Sequence, residues 1–319
     1  MTALLAVEDL HVRIGSVHAV RGVSFTVERG ETLSIVGESG CGKTMTALAI
    51  MGLLPPGAQR SAARLAFDGS DLLRLAEPAF SEIRGNRISM VFQDPMTTLD
   101  PVYTVGDQLE EAWLRHRGGS RAAARARALA LLSRVGIPDP QDRLRAYPHQ
   151  LSGGISQRVV IAMALMCTPA LLLADEPTTA LDVTIQAQVL RLLRDLQGEF
   201  DLGMLLITHD LGVVARMSTT VAVMYAGELV ETGTRREMFR NPAHPYTRGL
   251  LASIPTPGAL PPGARLASIG GSVPNLAAAI TGCAFRGRCA YAMAECAAPV
   301  PLRVLNPGRS YRCILPATP

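Results

Sequence analysis

Over roughly the first 82 residues short apolar runs alternate with turn-forming breaks, and the run Leu33–Val36 predicts a buried strand. A glycine-rich stretch comes after it, and the apolar spacing of residues 43–53 predicts a helix. Ile88–Phe92 reads as another strand, and residues 104–168, rich in Ala, Leu and Arg, read as helical. Beyond them come a buried-strand run at Ala170–Ala174, a helix over 184–199, a strand at Met204–Ile207 and strand-like pieces within 220–231. Strands alternating with helices in this way predict an α/β fold on a mainly parallel sheet covered by helices.

From about residue 241 the periodicity fades. Twelve of the 22 prolines and four of the six cysteines lie beyond that point. A small, irregular segment of this kind is expected to need a covalent or metal staple to hold its shape.

Hydrophobic residues make up 48% of the 319 and charged residues 18%, which suits a large buried core and excludes wholesale disorder. The most apolar stretch, Val159–Ala174, is broken by Thr168 and Pro169, whereas a membrane span needs about 18 uninterrupted apolar residues. The N-terminal residues reach Glu8 and Asp9 without the basic lead and small-residue cleavage site of a signal peptide. A soluble, cytoplasmic protein is expected, with any membrane role exercised through a partner. The net charge of +4 is thinly spread, and without a basic stripe interleaved with aromatics no nucleic-acid partner is expected. Only one of the 31 basic residues is a lysine, Lys43. It stands where a compact ammonium on a flexible stem serves better than a planar guanidinium.

That place is Gly37-Glu38-Ser39-Gly40-Cys41-Gly42-Lys43-Thr44, which fits G-x-x-x-x-G-K-[ST] between a strand and a helix. The glycines let successive N–H groups curl inward onto phosphate oxygens, and the helix adds its positive N-terminal end. Lys43 would reach the β- and γ-phosphates of ATP and the Thr44 hydroxyl would ligate Mg²⁺. Further on, the apolar run Leu171–Ala174 ends in Asp175-Glu176. Buried strands do not end in adjacent carboxylates without compensation. Asp175 suits Mg²⁺, and Glu176 suits a general base for the attacking water.

Leu151-Ser152-Gly153-Gly154-Ile155-Ser156-Gln157 stands just before a long apolar helix. With the phosphate loop, Gln93, Asp175-Glu176, the loop Ala180-Leu181-Asp182 and His209, all in this order, the chain resembles an ABC ATPase. The resemblance implies a P-loop cassette over residues 1–240, with a RecA-like core, a β subdomain and a helical signature subdomain at about 95–168. It also implies that Ser152 and the N–H groups of Gly153 and Gly154, with Gln157 in the same motif, close on ATP held by a second cassette. Asp182 would help join the two sites, His209 would contact the γ-phosphate, and Gln93 would sense Mg²⁺. Where this family stacks an aromatic ring on adenine the chain has Ile14, and Ile155 and Ser156 replace Met and Arg.

The stretches at 91–101, 174–190, 208–214 and 244–251 look like the peptide-import branch, with nickel and glutathione importers as relatives. That likeness implies a Cys-rich C-terminal domain over 241–319 and a peripheral position on the cytoplasmic face of the membrane. It implies as partners a related, non-identical cassette, two transmembrane permease subunits and, indirectly, an extracytoplasmic binding protein. A soluble ABC ATPase of repair or translation, or an iron–sulfur sensor, are the competing readings. Cys283, Cys289, Cys296 and Cys313 are spaced C-x5-C-x6-C-x16-C. By spacing, zinc and a 4Fe-4S cluster both remain open. The GC-x-F-x-x-RC resemblance to peptide-importer tails favours iron–sulfur. Cys41 lines the phosphate loop and Cys167 is expected to pack as a small apolar residue.

Overall fold

The computed structural model describes residues 3–179, 181–254 and 268–317. Ala180 lies outside the described residues, as do 255–267 of the expected C-terminal domain. Along the chain the first elements are β1 (Leu5–Ile14), β2 (Val17–Val27), β3 (Thr32–Val36), α1 (Lys43–Met51), β4 (Ala58–Ser61), β5 (Arg64–Phe67) and β6 (Ser70–Asp71). Then come α2 (Glu77–Ile83), β7 (Ile88–Val91), α3 (Pro95–Thr98), α4 (Val105–Arg117), α5 (Arg121–Arg134), α6 (Pro140–Arg143) and α7 (Gly153–Ala164). The chain continues through β8 (Leu171–Asp175), α8 (Val183–Phe200), β9 (Gly203–Thr208), α9 (Leu211–Met217), β10 (Thr220–Tyr225) and β11 (Glu228–Thr234). It closes with α10 (Arg235–Arg240), α11 (Pro245–Ala252), β12 (Arg303–Asn306) and β13 (Arg309–Tyr311).

Two compact units are formed, one from residues 1–4, 27–31 and 67–207, the other from 5–26, 32–66 and 208–319. In the first, β9, β8 and β7 lie side by side in parallel, with Leu171 opposite Ile88 on one flank and Gly203 on the other. Every residue of all three is buried, which is why each reads as a continuous apolar run rather than an alternation. The helical stretch expected over 104–168 is four α-helices and a short 3-10 turn at Pro148–Gln150. Gly118 and Gly119, both at positive φ, end α4, and Pro138 and Pro140 separate α5 from α6. α4 opens with a reciprocal capping box between Thr104 and Asp107.

In the second unit only β3 and β10 pair in parallel, with Thr220 opposite Leu33. The rest of that sheet, in the order β12-β13-β11-β10-β3, is antiparallel. The expected parallel pairing holds for β10 with β3 and for β7, β8 and β9, and the antiparallel part beyond β10 begins at a tight turn. Ala226 and Gly227 both take positive φ, 47° and 86°, and a two-residue loop of that kind folds the chain straight back on itself. β12 and β13 extend this sheet from the C-terminal segment, with Glu231 opposite Tyr311 and Thr232 opposite Ser310. β1 is flanked by β2 and β5 in a separate sheet, and β4 also pairs with β1. A buried cluster of Val36, Val221, Val223, Tyr225, Tyr246 and Phe285 joins the sheet to the C-terminal segment. Among the described residues no helix is long and apolar enough to cross a membrane.

Candidate functional site

The phosphate loop leaves the buried strand β3 and runs into α1. Two of its glycines are required by close approach: a Cβ on Gly37 would sit 2.1 Å from the Met224 carbonyl oxygen, and one on Gly42 2.3 Å from that of Ala19. Gly42 also has φ of 107°, so it is fixed twice over. Helix α1 starts at Lys43 with no acidic residue in its first turn, leaving the positive end of its dipole unopposed. Ser39, Gly40 and Thr44 are exposed, whereas Cys41 is fully buried.

Lys43 is 5% exposed, and its ammonium donates to the carbonyls of Gly37 at 2.8 Å and Glu38 at 2.9 Å. The lone lysine of the chain therefore braces the loop from within. Cys41 has its Sγ 3.8 Å from the same ammonium, but burial pushes its thiol up and keeps it an inert packing group. Cys167 is likewise buried and its thiol raised by burial, as its expected packing role requires.

In the other unit, the Glu176 carboxylate follows β8. Its Oε2 accepts hydrogen bonds from the Gln93 amide at 3.2 Å and the Thr179 hydroxyl at 2.9 Å. Glu176 has φ of 45°, a left-handed backbone that a β-carbon disfavours by about 1 kcal/mol or more. Such strain concentrates where a side chain must be aimed. Asp175 ends β8 and is 2% exposed. The structure thus brings Gln93 and Glu176 together, and adds Thr179, which sequence reasoning passed over.

Ser152 is the N-cap of α7, and with Gly153 it is exposed. Its side chain makes no capping bond and the first turn holds no acid, so the N–H groups there remain available to an anion. A Cβ on Gly153 would meet nothing within 4 Å, while one on Gly154 would press on Ile185 at 3.0 Å. Gln157 lies apart from this exposed end: it is 1% exposed, on the inward face of α7. Asp182 serves as N-cap of α8, accepting from the Thr184 and Ile185 N–H groups at 3.0 and 2.9 Å. His209 is exposed just after β9, ahead of the Asp210 cap of α9.

All six cysteines are free thiols. Burial raises the Cys283 and Cys289 thiols, and Cys283 also feels Cys296, Cys313 and Cys289 electrostatically. The Cys283 N–H donates to the Cys296 carbonyl at 2.8 Å, and Cys289 Sγ accepts from the Tyr291 N–H at 3.4 Å. The Cys283 and Cys296 backbones are therefore in contact. Yet among the described residues no group of three or more His, Cys, Asp or Glu side chains is arranged to hold a metal ion.

The ABC transporter family profile matches residues 20–179, and that of the oligopeptide/dipeptide transporter C-terminal region matches 230–296. The chain is 55% identical over 301 residues to the dipeptide transport ATP-binding protein DppD of Bacillus subtilis, covering 93% of this chain and 89% of that protein. It is 49% identical over 319 residues to DppD of Escherichia coli, covering 98% and 97%. It is 51% identical over 298 residues to the oligopeptide transport ATP-binding protein OppD of Bacillus subtilis, covering 92% and 83%. Among solved structures, it is similar to the ADP- and phosphate-bound dimer of the ATP-binding cassette MJ0796, with TM-score 0.65 and 28% identity over 73% of this chain and 99% of that one.

Proposed function

The chain belongs to the ABC transporter family, and we propose that it is the ATP-hydrolysing cassette of an importer for dipeptides or oligopeptides. The Glu176 carboxylate, strained and held between Gln93 and Thr179, is the observation that carries the chemistry. In this reading the inward N–H groups of residues 37–44 and the Lys43 ammonium hold the phosphates of ATP. Glu176 takes a proton from the attacking water, and His209 holds that water against the γ-phosphate. Thr44, Gln93 and Asp175 offer hard oxygen donors that suit Mg²⁺. The Gln93 nitrogen is spent on Glu176, so its amide oxygen is the atom for the ion. Bound Mg²⁺ supplies charge neutralisation across the β- and γ-phosphates.

The exposed Ser152–Gly153 end of α7 is suited to the γ-phosphate of ATP on a second cassette, and the MJ0796 dimer supports that arrangement. We assign residues 1–240 to the cassette, with its helical subdomain at about 95–168, and 241–319 to the C-terminal domain. The DppD and OppD names support peptide cargo. Two transmembrane permease subunits, a non-identical second cassette and, indirectly, an extracytoplasmic binding protein complete the assembly, with this chain at the cytoplasmic face. Co-expression with a pair of transmembrane permease subunits is the test. The chain should pellet with membranes only when the permease is present, and right-side-out vesicles with ATP enclosed and the binding protein outside should take up labelled peptide. Fractionation away from permease-containing membranes would exclude the importer reading.

For the four tail cysteines we propose a 4Fe-4S cluster, with zinc as the alternative. Four cysteines within 31 residues and one N–H···S bond suit such a donor set in chemistry, although their arrangement falls short of a metal site. Either ion would staple a Pro-rich segment that has little core of its own. Anaerobically purified protein should contain about four irons and four acid-labile sulfides per chain. One zinc without sulfide would select the alternative, and no metal would remove both.

A further inference from the structure

Glu38, the second residue of the phosphate loop, is gripped from three sides, twice by groups far along the chain. Its carbonyl accepts from Lys43, and its N–H donates to the Tyr246 hydroxyl at 3.0 Å. Its carboxylate takes a two-pronged pair from Arg288, at 2.8 and 3.1 Å. Arg288 is 250 positions away in sequence, directly before Cys289, and only 7% of its side chain is exposed. Its remaining donors are satisfied by the carbonyls of Gly270 at 2.8 Å and Ile269 at 3.1 Å, and by the Tyr225 hydroxyl at 3.3 Å.

The support behind these grips is rigid. Phe285 packs edge-on against Tyr225 and at a tilt against Tyr246, each with ring centroids 5.3 Å away. Tyr246 is fully buried, and its own N–H donates to Nδ1 of His244 at 3.0 Å. Burial lowers His244 to about 4, so the ring stays neutral and can accept that bond. The buried Glu231 carboxylate in turn accepts the N–H groups of Ala243 and His244 at 2.7 and 2.8 Å. Every link lies within the unit that carries the phosphate loop.

A loop built to receive the phosphates of ATP carries, in Glu38, a half-buried negative charge of its own. Left bare, that charge would repel the anion the loop must hold. A bidentate guanidinium cancels the charge and fixes the carboxylate's direction, which a monodentate lysine does less well. We propose that Arg288 is a positioning residue of the nucleotide site, by which the C-terminal segment cancels the charge of Glu38 and so leaves the phosphate loop fit to receive an anion. The proposal rests on the loop being the ATP site, and MgATP binding by the unaltered chain reports on that separately.

The experiment compares MgATP affinity, by titration calorimetry, in R288Q, R288K and the double variant E38Q/R288Q, with thermal unfolding followed in parallel. R288Q should bind MgATP about tenfold more weakly, equivalent to about 1.4 kcal/mol, because it bares the Glu38 charge. E38Q/R288Q should return to within about threefold of the unaltered chain, since no charge is left to cancel, and R288K should lie near it. A purely structural Arg288 would leave the double variant as weak as the single one, which would overturn the proposal. Unchanged affinity in R288Q would overturn it equally. Should R288Q not fold, the double variant decides: near-normal affinity supports the neutralising role and a tenfold loss ends it.

Discussion

Glu176→Gln should lower steady-state ATP turnover by about 10³-fold while leaving MgATP binding nearly unchanged, because it removes a proton acceptor and keeps the shape around it. The hydrogen bonds from Gln93 and Thr179 both fall on one oxygen, Oε2. The carbonyl oxygen of a glutamine can accept both without moving either partner. Backbone strain at φ of 45° is the same for the two side chains, so stability should hardly change. Unhydrolysed ATP should then hold two cassettes together, since the exposed Ser152–Gly153 helix end is suited to the nucleotide of a partner. Phosphate release and ATP-dependent dimerisation on a sizing column measure the two effects. Unchanged turnover in this variant would remove Glu176 as the base.

Lys43→Ala should weaken MgATP binding by at least about 100-fold. A charge-assisted hydrogen bond is worth about 1.5–3 kcal/mol, and here the ammonium has two duties. It is placed to meet phosphate, and it already holds the Gly37 and Glu38 carbonyls that shape the loop. Losing it unpins the loop in addition to deleting a cation, so a modest drop in thermal stability should accompany the loss of affinity. Lys43→Arg should not restore binding. A planar, five-donor group does not fit a 5% exposed slot shaped round a compact ammonium. Equilibrium titration with MgATP, alongside circular dichroism to confirm the fold, is the measurement. Retained affinity in the alanine variant would contradict the assignment of the loop to phosphate.

The elements that proved legible in sequence share one property. β3, β7, β8 and β9 are buried along their whole length, and such strands announce themselves as unbroken apolar runs bounded by turns. The elements that were missed share the opposite one. β12 is exposed throughout and β13 buries only Tyr311. Backbone pairing holds them, β12 to β13 and β13 to β11, rather than a hydrophobic face. Helix α9 is only seven residues long, too short for a 3.6-residue period to show. Within the site, Lys43, Thr44, Asp175 and Glu176 could be named from motif and spacing. Gln157 was grouped with the exposed signature end although it is buried, because a motif gives order along the chain and not the face of a helix.

By itself the sequence determined which residues are candidates for the chemistry. Phosphate-cradling glycines, a single lysine and a strand-end acid pair are local patterns, and each acts within a few residues of its neighbours. Only the tertiary structure decided what surrounds them. It placed Thr179 and Gln93 on one oxygen of Glu176, and set Arg288 and Tyr246 on Glu38. The contacts to Glu38, between residues more than 200 positions apart, leave no periodicity or spacing to read. They exist because β10, β11 and α11 bury a common aromatic cluster, and burying that apolar surface draws the C-terminal segment onto the phosphate loop.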